Sequence, residues 1–289
     1  MISILQLGTI DYATGLALQQ QLIALRKEEK ISDVLLLLEH TPVITLGRNA
    51  EAANVVASAE LLKTRSVELF ECDRGGDVTF HGPGQIVGYP IFDLRGYARA
   101  AADASPAANS SPSPRKTLGV IEFVRRLEEV LMRTCADFSI AAKRVPGLTG
   151  VWTDPTAVPP SPVSFRAKSR ACPEQASAES ASNGNLLFAG DATTAHPEAK
   201  LAAIGVHISR FVTSHGFALN VNTDLSFFDL IIPCGITAKP VTSMQQQLGR
   251  KLDLSAVAES ISRNFGVVFR SQILWLETLD GLLRNAAVP

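Results

Sequence analysis

Ile204-Gly205-Val206-His207-Ile208-Ser209 and, a few residues on, Phe217-Ala218-Leu219-Asn220-Val221-Asn222 decide how this chain is read. In each stretch apolar residues alternate with small or polar ones. Period two is the mark of a half-buried strand. The two runs predict a pair of strands joined by a loop over Thr213-Ser214-His215-Gly216. One face belongs to a core, and the other, carrying Gly205, His207 and Asn220, is free to line a cleft.

Outward from this pair the periods change. Ile2 to Leu5 and Val34 to Glu39 read as further strands. Leu18, Leu22 and Leu25 recur at helical spacing and predict an amphipathic helix ending near Lys27 and Lys30, where cations suit the helix dipole. Val120, Val124, Leu127 and Leu131 predict a second helix starting near Thr117. Ser255 is read as the N-cap of a third, running through about Asn264. Strands and helices mix without a regular βαβ rhythm, so the expected class is α+β. Two stretches break the pattern: about Ala98 to Lys116, and about Pro155 to Pro197, rich in Pro, Ser and Ala. Both are expected to be mobile insertions in a single domain spanning residues 1–289.

Composition narrows the function. The chain has 289 residues, 46% hydrophobic and 19% charged, with 27 Lys+Arg against 28 Asp+Glu. That is globular composition, with no global positive field to advertise nucleic acid or an anionic membrane. The apolar run Val34 to Leu38 is too short to span a bilayer. Cys72, Cys135, Cys172 and Cys234 form no CxxC pair and no cluster with histidines, against a structural zinc site. A reducing cytoplasm with free thiols is expected.

The most unusual segment is Arg74-Gly75-Gly76-Asp77-Val78-Thr79-Phe80-His81-Gly82-Pro83-Gly84-Gln85. Its four glycines and a proline forbid an ordinary element. Glycines let backbone approach a ligand and expose N–H groups, while Arg74, Thr79 and His81 supply polar anchors. A tight connection between strands is the alternative use of such a loop. No GxxxxGK[ST] follows, which argues against a nucleotide P-loop.

Three blocks together resemble one family. RGGDVTFHGPGQIVGYP (74–90), HTPVITLGR (40–48), and KLAAIGVH (200–207) through HGFALN (215–220) to PCG (233–235) are similar to the octanoyl-carrier-protein:protein octanoyltransferases, the lipoate-protein ligase B family. The resemblance covers most of the chain outside the two insertions. It implies a biotin and lipoate protein ligase catalytic fold, mixed β-sheet flanked by helices. It implies Cys234 as the acyl-thioester nucleophile and Lys200 as its partner. It implies that Arg74, Gly75, Gly76, Asp77, Val78, Thr79, Phe80 and His81, then Ala203, Ile204 and Gly205, then Gly216, Phe217 and Ala218, wrap the acyl chain. Octanoyl-acyl carrier protein is the implied donor. Lipoyl domains of 2-oxoacid dehydrogenase E2 subunits and the glycine cleavage H protein are the implied acceptors, with no nucleic acid or membrane partner. Asp77 departs from the family, where a longer or amide side chain is expected.

The chemistry holds on its own terms. A free cysteine near pKa 8.5 is only a few per cent thiolate at neutral pH. An ammonium beside it favours the thiolate and can then pass protons, provided burial lowers the lysine's own pKa. Backbone N–H groups at Gly205 or Gly75-Gly76 could stabilise an oxyanion. No ATP, cofactor or metal is required, because thioester to amide runs downhill. Burying about seven carbons at roughly 0.8 kcal/mol each gives on the order of 5 kcal/mol. Competing readings are an ATP-dependent lipoate or biotin ligase on the same fold, a non-catalytic lipoyl-domain-binding protein, and a Cys–His hydrolase. Cys72, Cys135 and Cys172 are read as packing residues. His40 and His207 could line the cleft or be satisfied structural histidines, and His196 is read as loop.

Overall fold

The run Val34 to Leu38 is apolar on both sides of its strand because both sides are covered. In the computed structural model, which describes residues 1–97, 117–156, 198–233 and 239–285, it lies at the heart of an eight-stranded sheet. Strand β1 (Ile2–Ile10) leads through helix α1 (Tyr12–Lys27) to β2 (Asp33–His40), parallel to β1. The small strands β3 (Val43–Leu46), β4 (Glu68–Glu71) and β5 (Val78–His81) form a second sheet in the order β4-β3-β5. Helix α2 (Ala59–Thr64) connects β3 to β4.

The chain then re-enters the large sheet as β6 (Gln85–Ile91), antiparallel to β2. Helix α3 (Val120–Asp137), β7 (Ala142–Val145), β8 (Leu148–Thr153), β9 (Lys200–Ser209) and β10 (Val212–Asn220) follow. Helices α4 (Met244–Leu248) and α5 (Leu254–Phe269), strand β11 (Ile273–Leu276) and helix α6 (Leu279–Asn285) complete the chain. The sheet order is β11-β1-β2-β6-β10-β9-β8-β7.

Alternation along the strands splits the core in two. Ile2, Ile4, Leu35, Leu37, Ile86 and Leu219 face α3 and α5, meeting Phe123, Leu127, Ile261 and Phe265. Leu5, Leu36, Leu38, Val87 and Tyr89 face the other way, onto Leu22 of α1. Each fully buried Leu or Ile contributes about 1.5–3 kcal/mol. The two sides of β2 together hold the sheet between its helical layers.

The α+β class stands as read, with three local differences. The 213–216 stretch is strand, inside β10, and the hairpin turns on Arg210-Phe211. Those two residues have φ of +51° and +69°, a two-residue turn with both central residues left-handed, whose twist matches the strands it joins. Helix α5 is capped by Asp253, whose carboxylate accepts from Ser255 N–H, and it runs on to Phe269. Helix α3 starts at Val120 with Gly119 as its N-cap. The expected insertions, about 98–116 and 155–197, lie outside the described residues apart from Pro155 and Thr156.

Candidate active site

The glycine loop between β4 and β5 is bound to its surroundings mainly through backbone. Gly75 N–H donates to Val206 O of β9 at 3.1 Å, and Arg48, Asn49 and Gly47 N–H donate to Arg74 O, Gly76 O and Asp77 O. The approach to β9 is so close that a Cβ on Gly205 would lie 2.6 Å from Gly75 O. Glycine at 205 is therefore a packing requirement. Gly76 sits at φ +93°, where an L side chain would be strained. Because Gly75 N–H is committed to Val206, it is not open to an oxyanion.

Arg74 is buried and turns inward. Its guanidinium donates to Thr45 O at 2.6 Å, to Thr45 Oγ1 at 2.9 Å and to Gly75 O at 3.2 Å. It fixes the loop to β3. Asp77 accepts from Asn54 Nδ2 at 2.6 Å and Glu51 N–H at 3.2 Å, bracing the loop's far end.

Loop, hairpin and α1 enclose a mainly apolar cavity with about 480 Å³ of empty space, its open mouth included. That is the size range of small-ligand sites. Arg74, Gly75, Gly76, Asp77, Thr79 and His81 line one side, and Ala203, Ile204, Gly205, Gly216, Phe217 and Ala218 the other. Twelve of the fourteen residues expected to wrap the acyl chain thus meet at one cavity. Val78 and Phe80 do not. Strand β5 alternates, and they point to the opposite face, packing on Ile44, Leu62, Leu230 and Ile231. Tyr12, Val87, Tyr89 and His215 complete the wall, and pattern reading missed all four.

Histidines set the polar chemistry. His81 Nδ1–H donates to Gln85 Oε1 at 2.7 Å, and Nε2 faces Thr45 Oγ1 at 3.5 Å. Burial, reinforced by the nearby charges of His40, Arg74 and His215, pushes its pKa down to about 3. His81 is neutral at pH 7. From it a chain of amides runs across the sheet: Gln85 Nε2 donates to Asn220 Oδ1 at 2.8 Å, Asn220 Nδ2 to Thr242 O at 3.1 Å, and Thr242 N–H to Lys200 O at 2.9 Å.

His40 is a satisfied structural histidine, bonded to Ile10 O at 3.0 Å and to the Tyr89 hydroxyl at 2.7 Å, with its pKa lowered by burial. His207 belongs to a cluster with Asp73, Arg48 and His215, of which His215 lines the cavity. Asp73 accepts from His207 Nδ1–H at 2.5 Å and from His215 Nε2–H at 2.6 Å, while Arg48 donates to His207 Nε2 at 3.2 Å. Burial lowers the His215 pKa against the opposing pull of Asp73. Burial also tends to raise the Asp73 carboxyl, but the histidine hydrogen bonds outweigh it and hold it below its usual range. Cys135 is core, its thiol pushed up to about 12 by burial. Cys72 donates to Leu46 O.

Lys200 opens β9 and is 7% exposed. Its N–H donates to Pro240 O at 2.8 Å. Cys234 lies outside the described residues, as do Cys172 and His196. The nearest described residues on either side of Cys234, Pro233 and Lys239, line one cleft with Ile231, Ile232, Pro240 and Val241.

A mixed sheet that turns a glycine loop and one hairpin onto a narrow apolar cavity, with a buried lysine at the head of the hairpin, defines a small-ligand catalytic domain of the α+β class. The sequence model of the lipoyl protein ligase A/B catalytic domain matches residues 11–266, and the chain belongs to that family. It is 52% identical to the octanoyltransferase of Koribacter versatilis over 98% of this chain and 90% of that one. It is 46% identical to the octanoyltransferase of Acidobacterium capsulatum over 99% and 98%. With relatives so named and a catalytic-domain family, the chain is an acyltransferase. Among solved structures it shares its fold with a bipartite lipoate protein ligase from Thermoplasma acidophilum, at TM-score 0.58 and 13% identity, covering 98% of this chain and 90% of that one. Lipoate-protein ligase A bound with ATP aligns at TM-score 0.53 and 12% identity, over 98% and 92%.

Proposed function

We propose that this single-domain enzyme moves an octanoyl group from octanoyl-acyl carrier protein, through a thioester on Cys234, to a lysine of lipoyl domains, in the cytoplasm. The observation that carries the reading is the placement of Lys200 on the strand whose Ala203, Ile204 and Gly205 wall the apolar cavity. Three residues of strand run from Lys200 to Ala203, a backbone rise of about 10 Å, on the scale of a medium-length acyl chain.

The Cys234 thiolate attacks the donor carbonyl, and the carrier thiol leaves with a proton from the Lys200 ammonium. The acceptor lysine's neutral amine then attacks the enzyme thioester. Its surplus proton returns to Lys200 and the Cys234 thiolate is released. Atoms balance with neither oxidant nor nucleotide. The cavity holds the chain by apolar burial while Arg74 and the loop keep its wall fixed. Relatives of more than 45% identity bearing the octanoyltransferase name support the acyl group proposed.

Intact mass spectrometry tests the reading. Incubation with octanoyl-acyl carrier protein without ATP is expected to add one octanoyl group, mapped to Cys234, that passes to an added lipoyl domain. A folded parent that takes up no acyl group, or transfer that survives Cys234→Ala, overturns it. A strict requirement for ATP moves the chemistry to that of the ATP-binding ligase that shares the fold.

A further inference from the structure

A slip in the ladder between β8 and β9 brings one aromatic ring to the amine of Lys200. Val151 pairs with Ala202, and an unbroken antiparallel register would set Trp152 opposite Leu201. The register shifts at this point and pairs Trp152 with Lys200. Irregularities of this kind re-aim a side chain, and they recur beside active sites. The Lys200 ammonium lies 5.3 Å from the Trp152 ring centroid, within reach of cation–π attraction.

Two further observations single out this contact. Gly150, at φ +123°, clears the path of the lysine stem, since a Cβ there would meet Lys200 Cε at 2.9 Å and Ala202 O at 2.5 Å. A second ammonium, that of Lys239, lies 5.7 Å from the same ring. It is paired with Glu198, which also binds Lys143 at 2.9 Å. Trp152 is 1% exposed and its indole N–H has no partner among the described residues. What the side chain offers its neighbours is the ring.

We propose that Trp152 is a positioning residue for acyl transfer: its indole holds the Lys200 ammonium in place, Gly150 gives the stem its path, and Glu198 keeps Lys239 on the ring beside it. The inference rests on the role given to Lys200 above. A lysine stem has rotamer freedom that catalysis cannot tolerate. A ring quadrupole adds its restraint on the ammonium without itself taking up an N–H donor. The attraction acts on the cation and disappears for the neutral amine, so the restraint relaxes at the step where Lys200 has given up its proton.

The test changes the ring's electrostatics at constant shape. The chain has two tryptophans, and the exposed Trp275 is first replaced (Trp275→Phe), leaving Trp152 as the single site for mono-, di- and trifluorotryptophan. Each fluorine weakens the ring's hold on a cation. The expected result is a graded fall in the rate of octanoyl transfer to a lipoyl domain, about tenfold over the series, with the thermal midpoint unchanged. The ¹⁹F resonance at position 152 is expected to move on Lys200→Met. Trp152→Phe, which keeps a ring, retains more activity than Trp152→Leu. A flat rate across the series, with Lys200→Met inactive, overturns the inference and leaves the role of Lys200 standing. Lys200→Met turning over at the parent rate removes that role itself, and the positioning with it.

Discussion

His81→Gln turns the buried histidine into a measurable slope of stability against pH. The His81 pKa is about 3 in the folded chain and about 6.5 when unfolded. Its folded value is the lower one, so the unfolded chain takes up the proton first. Stability is full above about pH 6.5 and declines as pH falls through the window from 6.5 to 3. Within it the decline approaches about 1.4 kcal/mol per pH unit for this one group. Between pH 7 and pH 4.5 the sum is about 2.5 kcal/mol. Gln keeps a polar side chain next to Gln85 and Thr45 but does not titrate. His40 and His215, also depressed by burial, are present in both proteins and cancel in the comparison. Urea unfolding of parent and variant at pH 7 and pH 4.5 is the assay, with equal m-values as the check on two-state behaviour. The parent is expected to lose about 2.5 kcal/mol more than the variant between the two pH values. Parallel losses would refute the claim that His81 is held neutral by burial.

Gly205→Ala would place a methyl 2.6 Å from Gly75 O and push the glycine loop off β9. We expect the Gly75–Val206 hydrogen bond to break, with a loss of about 1–3 kcal/mol in urea unfolding and a raised KM for the acyl donor. Ala218→Leu fills the cavity from β10. Transfer of octanoyl is expected to fall about tenfold while butanoyl is spared, read from initial rates with the two thioesters. Arg210-Phe211→Asn-Gly gives the hairpin residues that accept left-handed backbone at little strain. A gain of about 1 kcal/mol in urea unfolding is expected, with transfer activity unchanged.

That turn also shows where pattern reading stops. Alternation located both strands, because burial on one face repeats every second residue. It cannot locate the turn, since Arg and Phe are not residues that announce a left-handed pair, and the pattern predicts a loop where β10 already runs. The glycine segment was legible as a ligand-facing loop. Its strand half was over-read: Val78 and Phe80 share the motif but lie on the other face of β5, and alternation from Thr79 and His81 alone would have separated them. Asp73 and His215 meet across 142 residues of sequence, a contact no local pattern encodes. Tyr12 is hidden for the same reason, sitting at the start of a helix that reads as ordinary amphipathic structure. The pairing of Trp152 with Lys200 depends on a one-residue slip in the ladder, which a strand pattern leaves invisible.

The amide chain from His81 through Gln85 and Asn220 to the Thr242 backbone, and so to Lys200, constrains how this pocket can diversify. His81 is the member of that chain that lines the chamber, so a change there that widens it also loosens Gln85 and Asn220 and, through them, the segment bonded to the Lys200 backbone. Val87 and Ala218 are walls without a link in that chain. Variation in acyl preference among descendants of this sequence should therefore concentrate at those two sites, while the carboxamides stay fixed whatever the guest.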